Sequence, residues 1–450
     1  MAPNFKVVLG SLTVEQILKE LSAVDAIASP WAILLVRFSD NQSALPSNTI
    51  YDDLFTSAGI GKQNMVDFFR DMSHGKIDAS GSKVFGWYTI PYNIADYVGN
   101  TTAGPGKLDR GGLLNEAKSL ASAAGVDLTK FAGVVVSCLG AVDLCGWVGG
   151  MAALCDSLSL QPSLLGQEMG HGYGLDHARV QGSTDDYRDP WDVMSTAAYP
   201  SMEAGNTEFT NVGPGLNAWN MRGRGWLDES RVWQAPSGAW AGTIQLRPLH
   251  RRDLPGFLAA QIGEYLVEFR VPQRWDAAIG APCVLVHRFE DNHSYLMPAV
   301  SGSESVLVGD KFATGSPSLV VEPYSAVEVT AIDMQSLTAT LSISLRPPAE
   351  VPSLVAQWVS QGVKVDGGGS VGVGSHIYKI PPRGPVFEMV NSVARYLSLQ
   401  AGRSAVGSTL ASQRSALADV VRAIIPLYAE ADDVSEQPPG YAPKEREQES

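Results

Sequence analysis

Residues 167–177 read QEMGHGYGLDH, and in this stretch side chains that can bind a metal stand among glycines. On a helix, Gln167 and His171 project from one face because they are four residues apart. Glu168 lies one step round from Gln167, so it can flank a metal ion without binding it. Pro162 is well placed to begin this helix, since the first turn does not need its missing N–H.

The end of the same stretch predicts a turn. Gly174 can end the helix in a left-handed conformation, and the turn would bring His177 back to the point that Gln167 and His171 face. Three protein ligands and an open fourth position are the arrangement of a catalytic zinc site, in which the ion polarises a carbonyl and acidifies water. A neighbouring carboxylate such as Glu168 can then take a proton from that water and pass it to the leaving amine.

This stretch resembles the signature of the metzincin peptidases, His-Glu-x-x-His-x-x-Gly-x-x-His, which is followed downstream by a Met-turn. Residues 189–195, DPWDVMS, resemble that Met-turn. One residue departs from the pattern, because Gln167 stands where the first histidine would be. Glutamine at this place is a feature of the gametolysin-like metallopeptidases, and the chain resembles that family.

The resemblance implies a zinc-dependent endopeptidase that acts on a protein or peptide substrate. It implies roles for five residues: Gln167, His171 and His177 as ligands of one catalytic Zn²⁺, Glu168 as general base, and Met194 as the apolar floor beneath the metal. Tyr199 lies near the Met-turn and is a candidate accessory residue.

An alternative of a different class remains open. A glutamine amide oxygen is a weaker donor than imidazole, so zinc affinity should be lower than at a site with three histidines. The chain would then be a catalytically inactive metzincin-like protein that acts as a glycan- or protein-binding module. The retention of Glu168 beside His171 and His177 favours the active enzyme.

Two further patterns are weaker. The acidic cluster of Asp185, Asp186, Asp189 and Asp192 could hold a structural Ca²⁺, but it lacks the ligand spacing of an EF-hand loop and is more typical of a structural or solvated loop. Residues 368–372, GGSVG, match Gly-x-Ser-x-Gly inside a glycine-rich segment without the strand and helix of a nucleophile elbow. A plain loop or hairpin is expected there.

Patterns outside the signature predict the fold. Residues 31–38, WAILLVRF, form an almost continuous apolar run that predicts a buried strand. Residues 65–72 and 113–124 have helical spacing, and residues 84–90 and 131–136 are typical of strands. Strands that alternate with helices favour an α/β layer structure. Beyond about residue 233, short strands separated by turn residues favour a β-sandwich.

The predicted fold class is therefore an α/β zincin, metzincin-like catalytic domain with a twisted mixed sheet, a back helix and the active-site helix. A β-sandwich-like domain and C-terminal helices would follow. The cleft is expected along an edge strand near residues 146–150. The predicted segments are an N-terminal helical segment (1–29), the catalytic domain (30–230), the β-sandwich-like domain (231–347), a C-terminal hairpin and helical region (348–431) and a disordered tail (432–450).

Composition excludes some partners. The net charge is −14 and no stripe of Lys and Arg is present, so a nucleic-acid partner is not expected. No apolar run reaches the roughly 20 residues that a membrane span requires. The β-domain could bind a glycan or a protein. Residues 1–10 lack the features of a signal peptide, so the expectation is a cytoplasmic chain, one exported by another route or one given without its leader, although the resembled family is mostly secreted.

The four cysteines leave the disulfide state open. Cys138, Cys145 and Cys155 lie close together in sequence, and Cys283 is remote. This is not the dense framework of a small secreted domain. A bridge among the first three and a set of buried free thiols are both compatible with the sequence.

Overall fold

The computed structural model describes residues 26–195, 203–205, 208–315 and 323–347, together with the backbone of three short strands outside these ranges. The chain is mixed α/β, with several sheets and few helices in the described part. No described helix is long and apolar enough to span a membrane.

The helices are named in chain order. They are α1 (Thr49–Phe55), α2 (Met65–Met72), α3 (Arg110–Ala123), α4 (Pro162–Gly172) and α5 (Ala218–Gly223). The strands of the first half are β1 (Val7–Val8), β2 (Ile27–Ala28), β3 (Trp31–Phe38), β4 (Ile77–Asp78), β5 (Lys83–Ile90), β6 (Tyr97–Gly99), β7 (Leu108–Asp109), β8 (Gly133–Leu139), β9 (Cys145–Gly146), β10 (Ala152–Asp156) and β11 (Arg179–Val180). Those of the second half are β12 (Val232–Gln234), β13 (Trp240–Leu246), β14 (Ala259–Ile262), β15 (Tyr265–Arg270), β16 (Cys283–Glu290), β17 (His293–Leu296), β18 (Lys311–Thr314), β19 (Tyr324–Asp333), β20 (Thr338–Arg346), β21 (Gly369–Val373) and β22 (His376–Ile380).

The sheet that positions the candidate site has the strand order β5-β3-β8-β10-β9. Its first four strands are parallel, and the edge strand β9 is antiparallel to β10. The central strand β3 is buried on both faces, which explains its continuous apolar run. Alternate side chains of β3 therefore enter two different cores. Trp31 and Ile33 pack with α1, α2 and α4, whereas Ala32 and Leu34 pack with α3.

Several predicted elements are confirmed. The strand at residues 31–38 and the helix at 65–72 have the predicted bounds. The predicted helix at 113–124 begins three residues earlier, at Arg110, because the Asp109 side chain accepts a hydrogen bond from the Gly112 N–H and caps it. The glycine-rich segment forms the antiparallel hairpin of β21 and β22.

The second half of the described chain contributes mainly to two other sheets. One has the order β11-β17-β16-β15-β14-β12, and the other β1-β13-β20-β19-β18. Strand β11, from the predicted catalytic domain, pairs in parallel with β17, from the predicted β-domain. Hydrogen bonding of the sheet therefore crosses the predicted boundary at residue 230.

The chain divides into two compact units. The first comprises Met1–Ser237, Ala241–Phe312 and Val327–Ile343, and the second Gly238–Trp240, Ala313–Ala326 and Ser344–Ser450. The predicted boundary at residue 230 falls inside the first unit, which also contains the whole candidate site. The predicted N-terminal helix, the helices of residues 348–431 and the tail of 432–450 lie outside the described residues and stay predictions.

Candidate active site

Helix α4 has the beginning and the end that the sequence predicts. Pro162 occupies the start of the helix. Gly174 follows its last turn with φ of +87°, a conformation that glycine adopts without steric cost. The N–H of Gly174 bonds the oxygen of His171 at 2.8 Å, and the N–H of Leu175 bonds that of Gly170 at 3.2 Å. This pair of bonds is a Schellman motif, and it turns the chain back toward the helix.

Two glycines allow other parts of the chain to pack very closely against helix α4. Gly146 lies on the edge strand, and Gly170 lies in the helix itself. A Cβ on Gly146 of the edge strand would lie 2.1 Å from the backbone oxygen of Glu168. A Cβ on Gly170 would lie 3.1 Å from the sulfur of Met194, which is fully buried. The Met194 thioether therefore lies against the helix, and its role as an apolar floor stays a prediction. The N–H of Gly149 also bonds the oxygen of His171 at 2.8 Å.

The two histidines of the stretch meet, with ring centroids 4.7 Å apart and ring planes at 83°. Nδ1 of His171 donates to the backbone oxygen of Leu175 at 2.8 Å, and Nδ1 of His177 donates to the Asp186 carboxylate at 3.1 Å. Each ring is thereby left with an Nε2 lone pair, to which no described residue hydrogen-bonds. Burial lowers the pKa of His171, which favours the neutral imidazole that metals bind.

Gln167 and Glu168 are both buried, on the same helix as His171. The Gln167 amide nitrogen donates to Glu168 Oε1 at 3.2 Å, whereas the Gln167 Oε1 is buried without a hydrogen-bond partner. An unpaired buried acceptor costs about 1–3 kcal/mol. Burial raises the pKa of Glu168 to about 7, although hydrogen bonds from Gln167 and the Gly146 backbone and the positive charge of Arg110 lower it.

Asp186 supports the site from behind His177. One of its oxygens accepts from His177 Nδ1, and the other accepts from Arg179 Nε at 2.8 Å. A carboxylate in this position fixes the tautomer and the orientation of a ligating histidine. The sequence suggests Asp186 only as one member of an acidic cluster, so this role was missed. Its spacing of nine residues from His177 gives no signal of contact.

Sequence reasoning also missed two features near Glu168, which are the pair of Asp143 with Arg110 and the side chain of Tyr187. Asp143, just before the edge strand, accepts hydrogen bonds from Arg110 Nε and the Tyr97 hydroxyl. These contacts tie the segment leading into β9 to the start of α3. No periodicity or motif in the sequence indicates that Arg110 lies close enough to influence Glu168.

Tyr187 is the other missed residue. Its ring centroid lies 4.1 Å from that of His177, and its backbone is left-handed with φ of +61°. Burial raises the pKa of its phenol, and the nearby charges of Glu168 and Asp186 raise it further. By contrast, Tyr199, the accessory residue that the sequence suggests, lies outside the described residues.

A second polar group lies behind the Met194 turn. The name buried network is used here for Asp189, Asp192, Glu268, Arg270, Asp276 and His287, all of which are nearly or completely inaccessible to solvent. His287 Nε2 donates to Asp189 at 2.9 Å, and Arg270 pairs with Glu268 at 3.0 Å and with Asp276.

Backbone amides complete the buried network. Asp192 accepts from the N–H groups of Met194 and Asn217, both at 2.7 Å, and from the Asn220 amide at 3.0 Å. Burial and the neighbouring Asp189 raise the pKa of Asp192 to about 7. Burial lowers the pKa of His287, but the negative charges of Asp189 and Glu268 raise it overall. The network fixes the turn that carries Met194.

The members of the acidic cluster are held by other protein groups, and a structural Ca²⁺ there stays a prediction. Asp185 pairs with Arg188, and Asp186 is engaged by His177 and Arg179. Asp189 and Asp192 belong to the buried network. Within the described ranges no group of three His, Cys, Asp or Glu side chains is arranged to hold a metal ion.

The cysteines are all free thiols. Cys138 and Cys155 are buried on the adjacent strands β8 and β10, and Cys283 is buried in β16. Cys145 is half-buried in β9. Of the two readings that the sequence allowed, the structure has the free thiols.

Comparison with known proteins adds little. No family model matches the chain, and no curated protein matches it. One similar solved structure is wild-type OgpA from Akkermansia muciniphila, which is 13% identical. The similarity covers 74% of this chain and 97% of OgpA, with a TM-score of 0.29. At this TM-score the resemblance does not define a common fold.

Proposed function

We propose that this protein is a zinc-dependent endopeptidase in which Glu168 acts as general base. The observation that carries the proposal is a set of three unused donor atoms on and after one helix. They are Nε2 of His171, Nε2 of His177 and the unpartnered Oε1 of Gln167. The buried Glu168 carboxylate follows Gln167 on the same helix and accepts a hydrogen bond from its amide nitrogen.

The donor set fits zinc. Neutral imidazole nitrogens and an amide oxygen suit a borderline metal ion, and three protein ligands would leave one position open. Bound zinc would polarise the scissile carbonyl and lower the pKa of water held there. The hydrogen bond from His177 to Asp186 supports the assignment, because ligating histidines usually donate their second N–H to such a partner.

Glu168 has the properties of a general base for this reaction. Its pKa of about 7 is close to neutral pH, where proton transfer in both directions is efficient. It would take a proton from the attacking water and deliver it to the nitrogen of the leaving amine. The amide nitrogen of Gln167 holds one of its oxygens in place.

The edge strand supplies a place for the substrate. Strand β9 is the last strand of its sheet, and Gly146 brings it against helix α4. A peptide could add to this edge by main-chain hydrogen bonds, next to Glu168. The parallel sheet with an antiparallel edge, the back helix α3 and the helix α4 support a zincin-type, metzincin-like fold class with a gametolysin-like signature.

The test compares hydrolysis of quenched casein by zinc-loaded wild type and by Glu168→Gln, which keeps the size of the side chain. We expect kcat of the variant to fall by about 10²- to 10⁴-fold, with one zinc still bound per chain. A chelator should abolish wild-type activity, and added zinc should restore it.

Two outcomes would contradict the proposal. Full activity after removal of the metal would exclude the metallopeptidase. Absence of hydrolysis together with absence of zinc binding would favour the alternative, a catalytically inactive module that binds a glycan or a protein.

A further inference from the structure

We propose that Tyr187 is a further catalytic residue, whose hydroxyl donates a hydrogen bond to the substrate carbonyl oxygen as that oxygen gains negative charge. This inference rests on the proposed peptidase function and concerns the same site. It assigns a hydrogen-bond donor that lies outside both the signature stretch and the turn that carries Met194.

The backbone of Tyr187 is held in an unfavourable conformation by both of its neighbours. The preceding residue, Asp186, is bound to His177 and Arg179 through both carboxylate oxygens. The N–H of the following residue, Arg188, bonds the oxygen of Ala178 at 3.1 Å. A non-glycine residue with φ of +61° is costly, and such strain persists where the surroundings determine the conformation. These anchors place the Tyr187 ring on His177.

The Tyr187 ring has a fixed position, and its hydroxyl is available to a substrate. Its ring lies against the His177 ring at 4.1 Å, with the planes tilted by 42°. Tyr187 is 37% exposed, and within the described ranges no residue forms a hydrogen bond with its hydroxyl. The phenol therefore combines a fixed ring, a free donor and access from solvent. It also lies close enough to Glu168 for the two groups to interact electrostatically.

The chemistry requires a donor of this kind. When water attacks the scissile carbonyl, the C–O double bond becomes a single bond and its electron pair moves to oxygen. Glu168 takes the proton of the water, while Tyr187 keeps its own proton and shares it in a hydrogen bond. When the C–N bond breaks, the electron pair returns to the carbonyl, and the amine nitrogen receives the proton from Glu168. A donor aimed at the developing charge stabilises the transition state more than the ground state.

The experiment compares wild type with Tyr187→Phe, which keeps the ring on His177 and removes only the hydroxyl. Tyr92→Phe, a tyrosine on the far side of the sheet, is the matched control. For each protein kcat and KM are measured on quenched casein, and zinc affinity is measured by competition with a chromophoric chelator. We expect kcat of Tyr187→Phe to fall by about 100-fold or more, with KM and zinc affinity unchanged.

The possible results separate this inference from the function on which it rests. Unchanged kcat in Tyr187→Phe would overturn the role of Tyr187 while wild-type activity upholds the peptidase. A loss of kcat accompanied by weaker zinc binding would also overturn it, since Tyr187 would then only support His177. Absence of both hydrolysis and zinc binding in wild type would overturn the peptidase function and the role of Tyr187 together, whereas equal activity in Glu168→Gln would overturn the general-base role of Glu168 on which the step with Tyr187 depends.

Discussion

The candidate site on helix α4 and the buried network behind Met194 are both polar, buried and rich in carboxylates and histidine, yet they differ in how fully they are paired. In the network every carboxylate accepts hydrogen bonds from protein donors, and Arg270 balances Glu268 and Asp276. The only unpaired side-chain atom among its six residues is His287 Nδ1. At helix α4 the Gln167 oxygen and two Nε2 atoms have no partner among the described residues.

This is the difference expected between a structural polar cluster and a functional one. A nearly complete network rigidifies the fold, because almost every buried polar group has its partner. An incomplete one costs stability, and that cost is offset only when a ligand or substrate supplies the missing partners. We therefore expect substitutions in the network to change the free energy of unfolding, and substitutions at helix α4 to change binding and rate.

The largest effect on stability is expected for Arg270→Leu. The guanidinium is fully buried between two carboxylates, and removal of one partner from a buried ion pair costs about 3–5 kcal/mol. Urea unfolding of the metal-free protein measures this loss. Arg188→Leu is the matched control, because Arg188 is half exposed and pairs with the exposed Asp185, so its loss should cost less than about 1 kcal/mol. Equal effects of the two variants would remove the distinction between the regions.

The second-largest expected effect is a dependence of the free energy of unfolding on pH, which arises from Glu168 in helix α4. Burial raises the pKa of Glu168 from 4.5 to about 7, so the folded metal-free protein binds the proton more tightly than the unfolded chain. The resulting stabilisation is fully present below pH 4.5 and is lost as pH rises through 7. At about 1.4 kcal/mol per pKa unit, the loss is at most about 3 kcal/mol.

Glu168→Gln provides the reference for this measurement. The side chain at position 168 of the variant carries no charge at any pH. The free energy of unfolding of wild type, relative to that of Glu168→Gln, should therefore fall between pH 5 and pH 8 in metal-free samples. A constant difference across this range would show that folding does not raise the pKa of Glu168, and it would weaken the contrast with the paired carboxylates.

The smallest expected effect is a change in zinc affinity, and it tests whether Asp186 belongs to the candidate site. Asp186→Asn should weaken zinc binding by about 10- to 100-fold, because it removes the carboxylate that orients His177. Asp185→Asn, the preceding residue in the same loop, should leave zinc affinity unchanged, since Asp185 pairs only with Arg188. Isothermal titration of both variants with zinc distinguishes a supporting role of Asp186 from a general effect of charge in the loop.

Local patterns explain what could be predicted from the sequence. The apolar run of residues 31–38 and the helical spacing of 65–72 report burial and periodicity, and both elements have the predicted bounds. Helix α4 ends just before Gly174 because glycine can adopt the positive φ that this turn requires. The convergence of His171 and His177 follows from that turn.

The unpredicted features depend on residues that are distant in sequence or that act through loops. The bond between Asp189 and His287 joins positions 98 residues apart, and no spacing rule connects them. The sequence therefore does not distinguish the members of the acidic cluster of residues 185–192, although Asp186 belongs to the candidate site and Asp189 and Asp192 belong to the buried network. Tyr187 depends on a loop conformation fixed by Asp186 and Arg188, which composition does not report.

Gly146 has a consequence for reading related sequences. Any side chain at this position would bring its Cβ to 2.1 Å from the Glu168 oxygen and 2.7 Å from the His171 Cβ. A homologue could thus retain the glutamine, the glutamate and both histidines and still be unable to seat its edge strand beside them. In a survey of such chains, glycine at this position is expected to separate those that can pack the edge strand against the helix from those that preserve only the motif.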